Sequence, residues 1–235
     1  MLCIPERETR AEQRPITVGK PAFSHYWQDL RDGLRFVLRQ PLLRSIVVIV
    51  LILNALDAAR FSVLLPLYSL EFLGGSAAAG LITGALATGA LAGSFIFSAW
   101  GHRLPRRALF VICFALTGGP LSLGFYCQAP EWALVALSAA TGIFTGMLNP
   151  LIGTLRLEQT EPDMLARVQS FMIAISWAGI PIGSLLSGFA AERLSLPLLY
   201  GIIGVIYVLT ACLPIVDTAW NEPELRTYKT STPTT

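Results

Sequence analysis

Asp57 and Arg60 are the only full charges that lie well inside the apolar runs of this chain, in the stretch LILNALDAARFSVLLP. At about 100° per residue, Asn54, Asp57, Arg60 and Phe61 fall within about a third of a helix circumference and face one way. Placing each charge at the centre of a bilayer costs on the order of 2.5–3.5 kcal/mol, so this face must look into protein or a wet cavity. Two roles are open to the pair and can coexist. One is a structural ion pair at i,i+3 spacing; the other is participation in substrate binding or proton coupling. Asn149, beside Pro150 in a later apolar run, is a further candidate for the same cavity.

Other chemistry is excluded by what the apolar runs lack. His25 and His102 both fall outside them, so no membrane-embedded imidazole is available as a base for a serine or metal mechanism. The stretch Gly74-Gly75-Ser76-Ala77 superficially resembles a serine nucleophile motif but falls in a loop without a partner. No H-E-x-x-H and no G-x-x-x-x-G-K-[ST] occurs, which removes a zincin-type metal and a P-loop nucleotide site. Cys3, Cys113, Cys127 and Cys212 follow no C-x-x-C spacing and read as packing thiols. No enzyme activity, metal or cofactor is expected, and any transport must be driven by a gradient or by a separate subunit.

These residues need elements to hold them, and composition says which. Only 14% of the 235 residues are charged and 54% are hydrophobic, with mean hydropathy +0.61; that surplus belongs in lipid. The net charge of +2 is too small to point to nucleic acid. Crossing about 30 Å of hydrocarbon takes about 20 apolar residues in a helix, because each backbone amide must be satisfied internally. Six stretches reach that length: Ser45–Leu70, Ala77–Trp100, Ala108–Tyr126, Trp132–Thr154, Val168–Ala191 and Pro197–Val216. The fold class is therefore an all-α membrane protein, a six-transmembrane-helix bundle whose short connections make successive helices antiparallel.

Cations accumulate in cytoplasmic loops. Apart from Arg60, every Lys and Arg falls on one side of this topology except Arg193. Both termini are expected in the cytoplasm, with the chain multi-pass in the inner (plasma) membrane. Residues 24–41 read as an amphipathic surface helix, with Ser24 as N-cap, Trp27, Leu30, Leu34, Val37 and Leu38 on one face, and Pro41 ending it. The bundle then covers 42–217, and the polar, aperiodic segments 1–23 and 218–235 read as a flexible linker and a flexible tail. The first residues carry no apolar core before a small-residue cleavage site, so no signal peptide is expected.

Small residues mark the packing faces. Gly80, Gly84, Gly89 and Gly93 give two G-x-x-x-G units on the second span, which let another helix backbone come close. On the fifth, Gly179, Pro181 and Gly183 combine close contact with a weakened hydrogen-bond ladder; Gly118, Gly119 and Pro120 are expected to interrupt the third, and Pro150 weakens the fourth.

Several segments together resemble the C-terminal six-helix half of the major facilitator superfamily, in particular bacterial exporters of the siderophore and macrolide type, over roughly residues 24–216. DLRDGLRFVLRQPLLR resembles the surface helix ahead of their seventh span. WGHRLPRR resembles the loop between their eighth and ninth spans, with Arg103, Arg106 and Arg107 matching, His102 where Asp is expected and Pro105 where Gly is expected. The most specific stretch, EQTEPDMLARVQSFMIAISWAGIPIGSLLSG, resembles the loop and eleventh span, with Pro162, Asp163, Arg167, Ser170, Pro181 and Gly183 in matching places. The resemblance implies a secondary active transporter, half or truncated in form, for proton-coupled efflux of small amphipathic molecules such as drugs or siderophores. It also implies a second six-helix half, encoded elsewhere, or self-association, because members have two bundles rocking about a central cavity. Two other classes fit six spans: a non-transporting membrane interaction subunit, and the membrane subunit of an ATP-driven transporter.

Overall fold

Pro41 opens the first long helix because a helix's first turn needs no amide hydrogen there and its ring fixes a helical φ. The computed structural model describes residues 31, 33–101, 105–160 and 162–220. Six helices among these are long and apolar enough to cross a membrane: α1 (Pro41–Phe72), α2 (Ser76–Trp100), α3 (Arg106–Tyr126), α4 (Glu131–Gln159), α5 (Pro162–Ala191, its first turn 3-10) and α6 (Leu196–Val216). Each contains one of the six expected spans. α5 starts six residues before Val168, and α4 continues past Thr154 through the polar residues Arg156, Glu158 and Gln159.

The basic ends of the helices meet one another. Arg106 at the start of α3 forms an ion pair with Glu158 at the end of α4, and Arg107 donates to the Ile215 carbonyl at the end of α6 at 2.6 Å. Helical residues 33–39 precede α1, and the chain is extended at Gln40 (φ −100°, ψ 104°). Val37 of this segment is buried, and a Cβ added at Gly33 would lie 3.0 Å from the Arg167 carbonyl oxygen of α5. The face turned to the bundle is therefore Gly33 and Val37, while Leu34 and Leu38 are exposed. Ser24, Trp27 and Leu30 lie outside the described residues.

Residues 218–220, expected to be part of a tail, are helical and packed on the bundle. Thr218–Trp220 form a 3-10 turn, with the Trp220 indole donating to Ser45 Oγ at 3.1 Å and its ring 4.8 Å from that of Phe110. An aromatic side chain next to an apolar helix end gains more by docking there than by staying in water. The Ser45 hydroxyl and the Ala219 amide, with Arg44 adding less, hold the Asp217 carboxyl below the usual carboxylate range.

Helices pair where glycines let them. Added Cβ atoms at Gly89 and Gly93 of α2 would run into the carbonyls of Ala139 and Ile143 on α4, and ones at Gly142 and Gly146 of α4 into Leu86 and Ala90 on α2. The same holds on α5, where Gly179 and Gly183 sit against the Leu51 and Ala55 carbonyls of α1. Gly80 and Gly84 have nothing within 4 Å of an added Cβ, so the first G-x-x-x-G unit packs against no helix of the described chain.

The internal prolines do not break their helices. Gly118, Gly119 and Pro120, expected to interrupt α3, lie inside a continuous helix; Pro150, Pro181 and Pro214 do likewise in α4, α5 and α6. At Pro150 a cause is visible. Its missing amide hydrogen would have bonded the Gly146 carbonyl, and Ser94 Oγ of α2 supplies a donor to that oxygen at 3.0 Å. The irregular helix is α1, which is π-helical from Ala59 to Leu64, just before Pro66. The Pro66 ring would clash with the carbonyl one turn back, and widening the turn relieves that clash.

The two G-x-x-x-G units of α2 therefore predict opposite outcomes. Gly93→Leu must push apart two backbones and should lower stability by about 3 kcal/mol or more. Gly84→Leu should change the purified chain's stability by less than about 0.5 kcal/mol. Thermal unfolding in detergent measures both.

Candidate functional site

Two apolar clusters divide the bundle along its length. One gathers Leu43, Ile46, Phe110, Leu151 and Phe171 toward the basic ends; the other gathers Leu64, Tyr68, Leu121, Phe125 and Tyr200 toward the opposite ends. Between them lies a polar layer centred on Arg60, whose side chain is 1% exposed.

Two helices and two aromatic rings compensate that buried charge, although its Nε has no hydrogen-bond partner. Arg60 Nη1 donates to Asp57 Oδ1 at 3.3 Å and Nη2 to the Thr117 carbonyl of α3 at 3.4 Å. The guanidinium carbon lies 5.0 Å from the Phe61 ring centroid and 5.3 Å from that of Tyr207, within cation–π range. The Tyr207 hydroxyl donates to Asp57 Oδ2 at 3.2 Å. Tyr200 donates to the Arg60 carbonyl at 3.2 Å, inside the π-helical turn. One carboxylate is thus held from both oxygens, by a cation on its own helix and a phenol on α6.

The two members of the pair differ in access. Arg60 is enclosed, whereas the Asp57 side chain is 33% exposed. Asp57 opens onto a crevice of about 420 Å³ between α1, α3, α4 and α5. Asn54 and Asn149 line the same crevice, and Asn54 Nδ2 donates to the Ser176 carbonyl at 2.9 Å, bridging α1 to α5. Three of the four cavity residues expected from the sequence therefore meet at one opening. Arg60 lies behind it as the counter-ion.

Residues that sequence reasoning did not assign to the cavity complete the wall. Thr117 and Thr145 bridge α3 and α4 at 3.3 Å between hydroxyl oxygens, and Arg156, Gln169 and Trp177 line the crevice further along. Hydropathy ends the fourth span at Thr154 and so leaves Arg156 among the loop cations. Its helical spacing from Thr145 and Asn149 was the available signal: the three fall within about 40° of one another.

The loop-motif residues sit apart from this crevice, at the basic ends. Arg106 and Arg107 fasten α3 to α4 and α6 as described. Pro162 and Asp163 form the 3-10 turn that leads into α5, and Arg167 lies in the next turn against Gly33. His102 and Arg103 lie outside the described residues. Pro181 is exposed on α5 between Gly179 and Gly183.

A six-helix apolar bundle with a buried ion pair open on one side to a polar crevice defines a multi-pass membrane protein. The family profile of the Major Facilitator Superfamily matches residues 10–232, and the chain belongs to that superfamily. It is 27% identical over 211 residues to the multidrug efflux pump Tap of Mycobacterium tuberculosis (strain ATCC 25618 / H37Rv), an alignment covering 88% of this chain and 50% of that protein. It is 28% identical over 198 residues to the multidrug efflux pump Tap of Mycolicibacterium fortuitum, covering 80% of this chain and 47% of that one. The chain spans about half the length of the curated relatives it matches. No solved structure gives a significant match.

The unequal access of the pair predicts unequal costs. Asp57→Ala strands an enclosed guanidinium and should cost about 3–5 kcal/mol, whereas Arg60→Met leaves a carboxylate that keeps Tyr207 and the crevice and should cost about 1–3 kcal/mol. The double variant should cost less than the sum, as a double-mutant cycle of thermal unfolding in detergent will read.

Proposed function

We propose that this chain is one rigid body of a proton-coupled exporter of small amphipathic molecules, working against a second six-helix bundle across the crevice. The observation that carries this reading is the geometry of Asp57, whose carboxylate is fixed by Arg60 and Tyr207 yet a third exposed to a polar crevice. A carboxylate that serves only as a structural counter-ion gains nothing from such an opening. One that exchanges protons with water, or meets a substrate, requires it. The relatives named as multidrug efflux pumps support outward transport, and their length leaves room for the second bundle. Enclosure of the crevice alternately from each side would then give access to one face of the membrane at a time.

The exposed backbone at Gly80 and Gly84 and the exposed apolar side chains Ile182, Leu185, Leu186 and Phe189 of α5 are suited to face that second bundle or lipid. Cation placement supports an inner-membrane orientation with both termini in the cytoplasm. Asn54 and Asn149 offer neutral hydrogen-bonding groups that a varied set of substrates could use.

The test is Asp57→Asn in a reconstituted assembly of this chain with its second bundle. Asparagine still accepts from Arg60 but carries no proton to exchange. Efflux should lose its pH dependence while substrate binding persists; an unchanged pH profile would remove Asp57 from coupling.

A further inference from the structure

Arg156 is the second charge on the crevice wall, and its surroundings differ from those of every other cation described near it. Arg60 is compensated by Asp57. Arg106 has Glu158, and Arg107 has the Ile215 carbonyl. Arg156 Nε is buried without a hydrogen-bond partner, as Arg60 Nε is, but among the described residues no carboxylate pairs with the Arg156 guanidinium. Glu158, two residues on, is already committed to Arg106 from the other side of α4. With Asp57 satisfied by Arg60 and Tyr207, Arg156 at the basic end of the crevice is left with no carboxylate partner among the described residues.

Space and polarity are arranged around that charge. Gly153, nearly one turn before it on α4, has nothing within 4 Å of an added Cβ and also lines the crevice. Gln169 of α5 contributes a second hydrogen-bonding side chain at the same end, and Trp177, Ile173 and Ile152 form apolar wall beside it. A half-buried guanidinium recruits an anion that can take two parallel hydrogen bonds, and a planar fork suits a carboxylate or phosphate oxygen pair. From Thr145, bridged to Thr117 at the level of the Arg60 contact, to Arg156 is eleven residues of α4, or about 16 Å. That length fits an elongated amphipathic molecule with its head at Arg156 and its body toward Asn149 and Asn54.

We infer that the crevice selects amphipathic organic anions, with the acidic head seated on Arg156 and Gln169 and the apolar body along Ile152, Ile173 and Trp177. This deepens the exporter reading and rests on it for the identity of the crevice as a substrate path. The same guanidinium chemistry would also receive an anionic lipid headgroup, so the test separates the two.

The purified chain in phosphatidylcholine nanodiscs is titrated near neutral pH with 1-pyrenebutyrate and, separately, with its neutral amide, reading saturable quenching of Trp177 fluorescence, with Trp177→Phe as the blank. Wild type should bind the carboxylate at least about tenfold more tightly than the amide, the size of one charged hydrogen bond. Arg156→Gln should erase that preference while leaving amide binding unchanged, and Arg156→Lys should retain most of it. Equal affinity of wild type for the two probes overturns the inference whatever the variants do, and so does an undiminished preference in Arg156→Gln. If phosphatidylglycerol added to the discs abolishes carboxylate binding to wild type, the site belongs to lipid and the substrate assignment falls. A lost Arg156 effect beside an intact Asp57 effect on pH-dependent efflux refutes this inference alone; the reverse pattern refutes only the coupling reading.

Discussion

A guanidinium enclosed at the middle of a membrane bundle has to be compensated by its neighbours, and Arg60 organises the helices around it. Its own helix supplies Asp57 and Phe61, α3 supplies the Thr117 carbonyl, and α6 supplies the Tyr207 ring and, through Tyr200, a donor to its carbonyl. Removing water strengthens each of these contacts, and it equally raises the cost of losing one. The layer also separates two apolar clusters, so it marks the depth at which the bundle changes from packing to polarity. The π-helical turn at Ala59–Leu64 belongs to the same arrangement, since widening α1 there accommodates Pro66 beside the charge.

Glycine contacts decide which helices move together. α2 is seated on α4 by four mutually placed glycines, and α5 on α1 by two. Backbones in carbonyl contact cannot slide without opening a void, which makes each pair a stiff unit. Stiff pairs flanking a crevice suit motion of whole bundles more than bending of single helices. The unbroken course of α3, α4, α5 and α6 through their prolines agrees with that, and the Ser94 bond to the carbonyl opposite Pro150 shows one way the neighbouring helix removes the expected weak point.

The six helices and the charged face of α1 were legible in the sequence because lipid imposes strong rules on length and on charge. Asp57 and Arg60 stand out among apolar neighbours, and Asn54 follows from helical spacing. Their partners did not stand out: Tyr207 is 150 residues from Asp57 and Ser176 is 122 from Asn54, so only the topology brings them together. Arg156 was misread because hydropathy ends a span at the first charges, whereas a helix continues as long as its backbone bonds do. Gly80 and Gly84 could not be told from Gly89 and Gly93 either. The spacing is the same, and what differs is whether a second helix lies opposite.

Proton or substrate access to Asp57 requires the face of α4 that carries Asn149 and Gly153 to be wet. With the four native cysteines replaced, single cysteines introduced as Asn149→Cys, Gly153→Cys and Leu209→Cys can be timed against a charged thiosulfonate that does not enter lipid. Leu209 is exposed on the outer surface of α6 and serves as the lipid-facing reference. Positions 149 and 153 should react far faster than 209; if they react as slowly as 209, the crevice is sealed and Asp57 is a structural counter-ion.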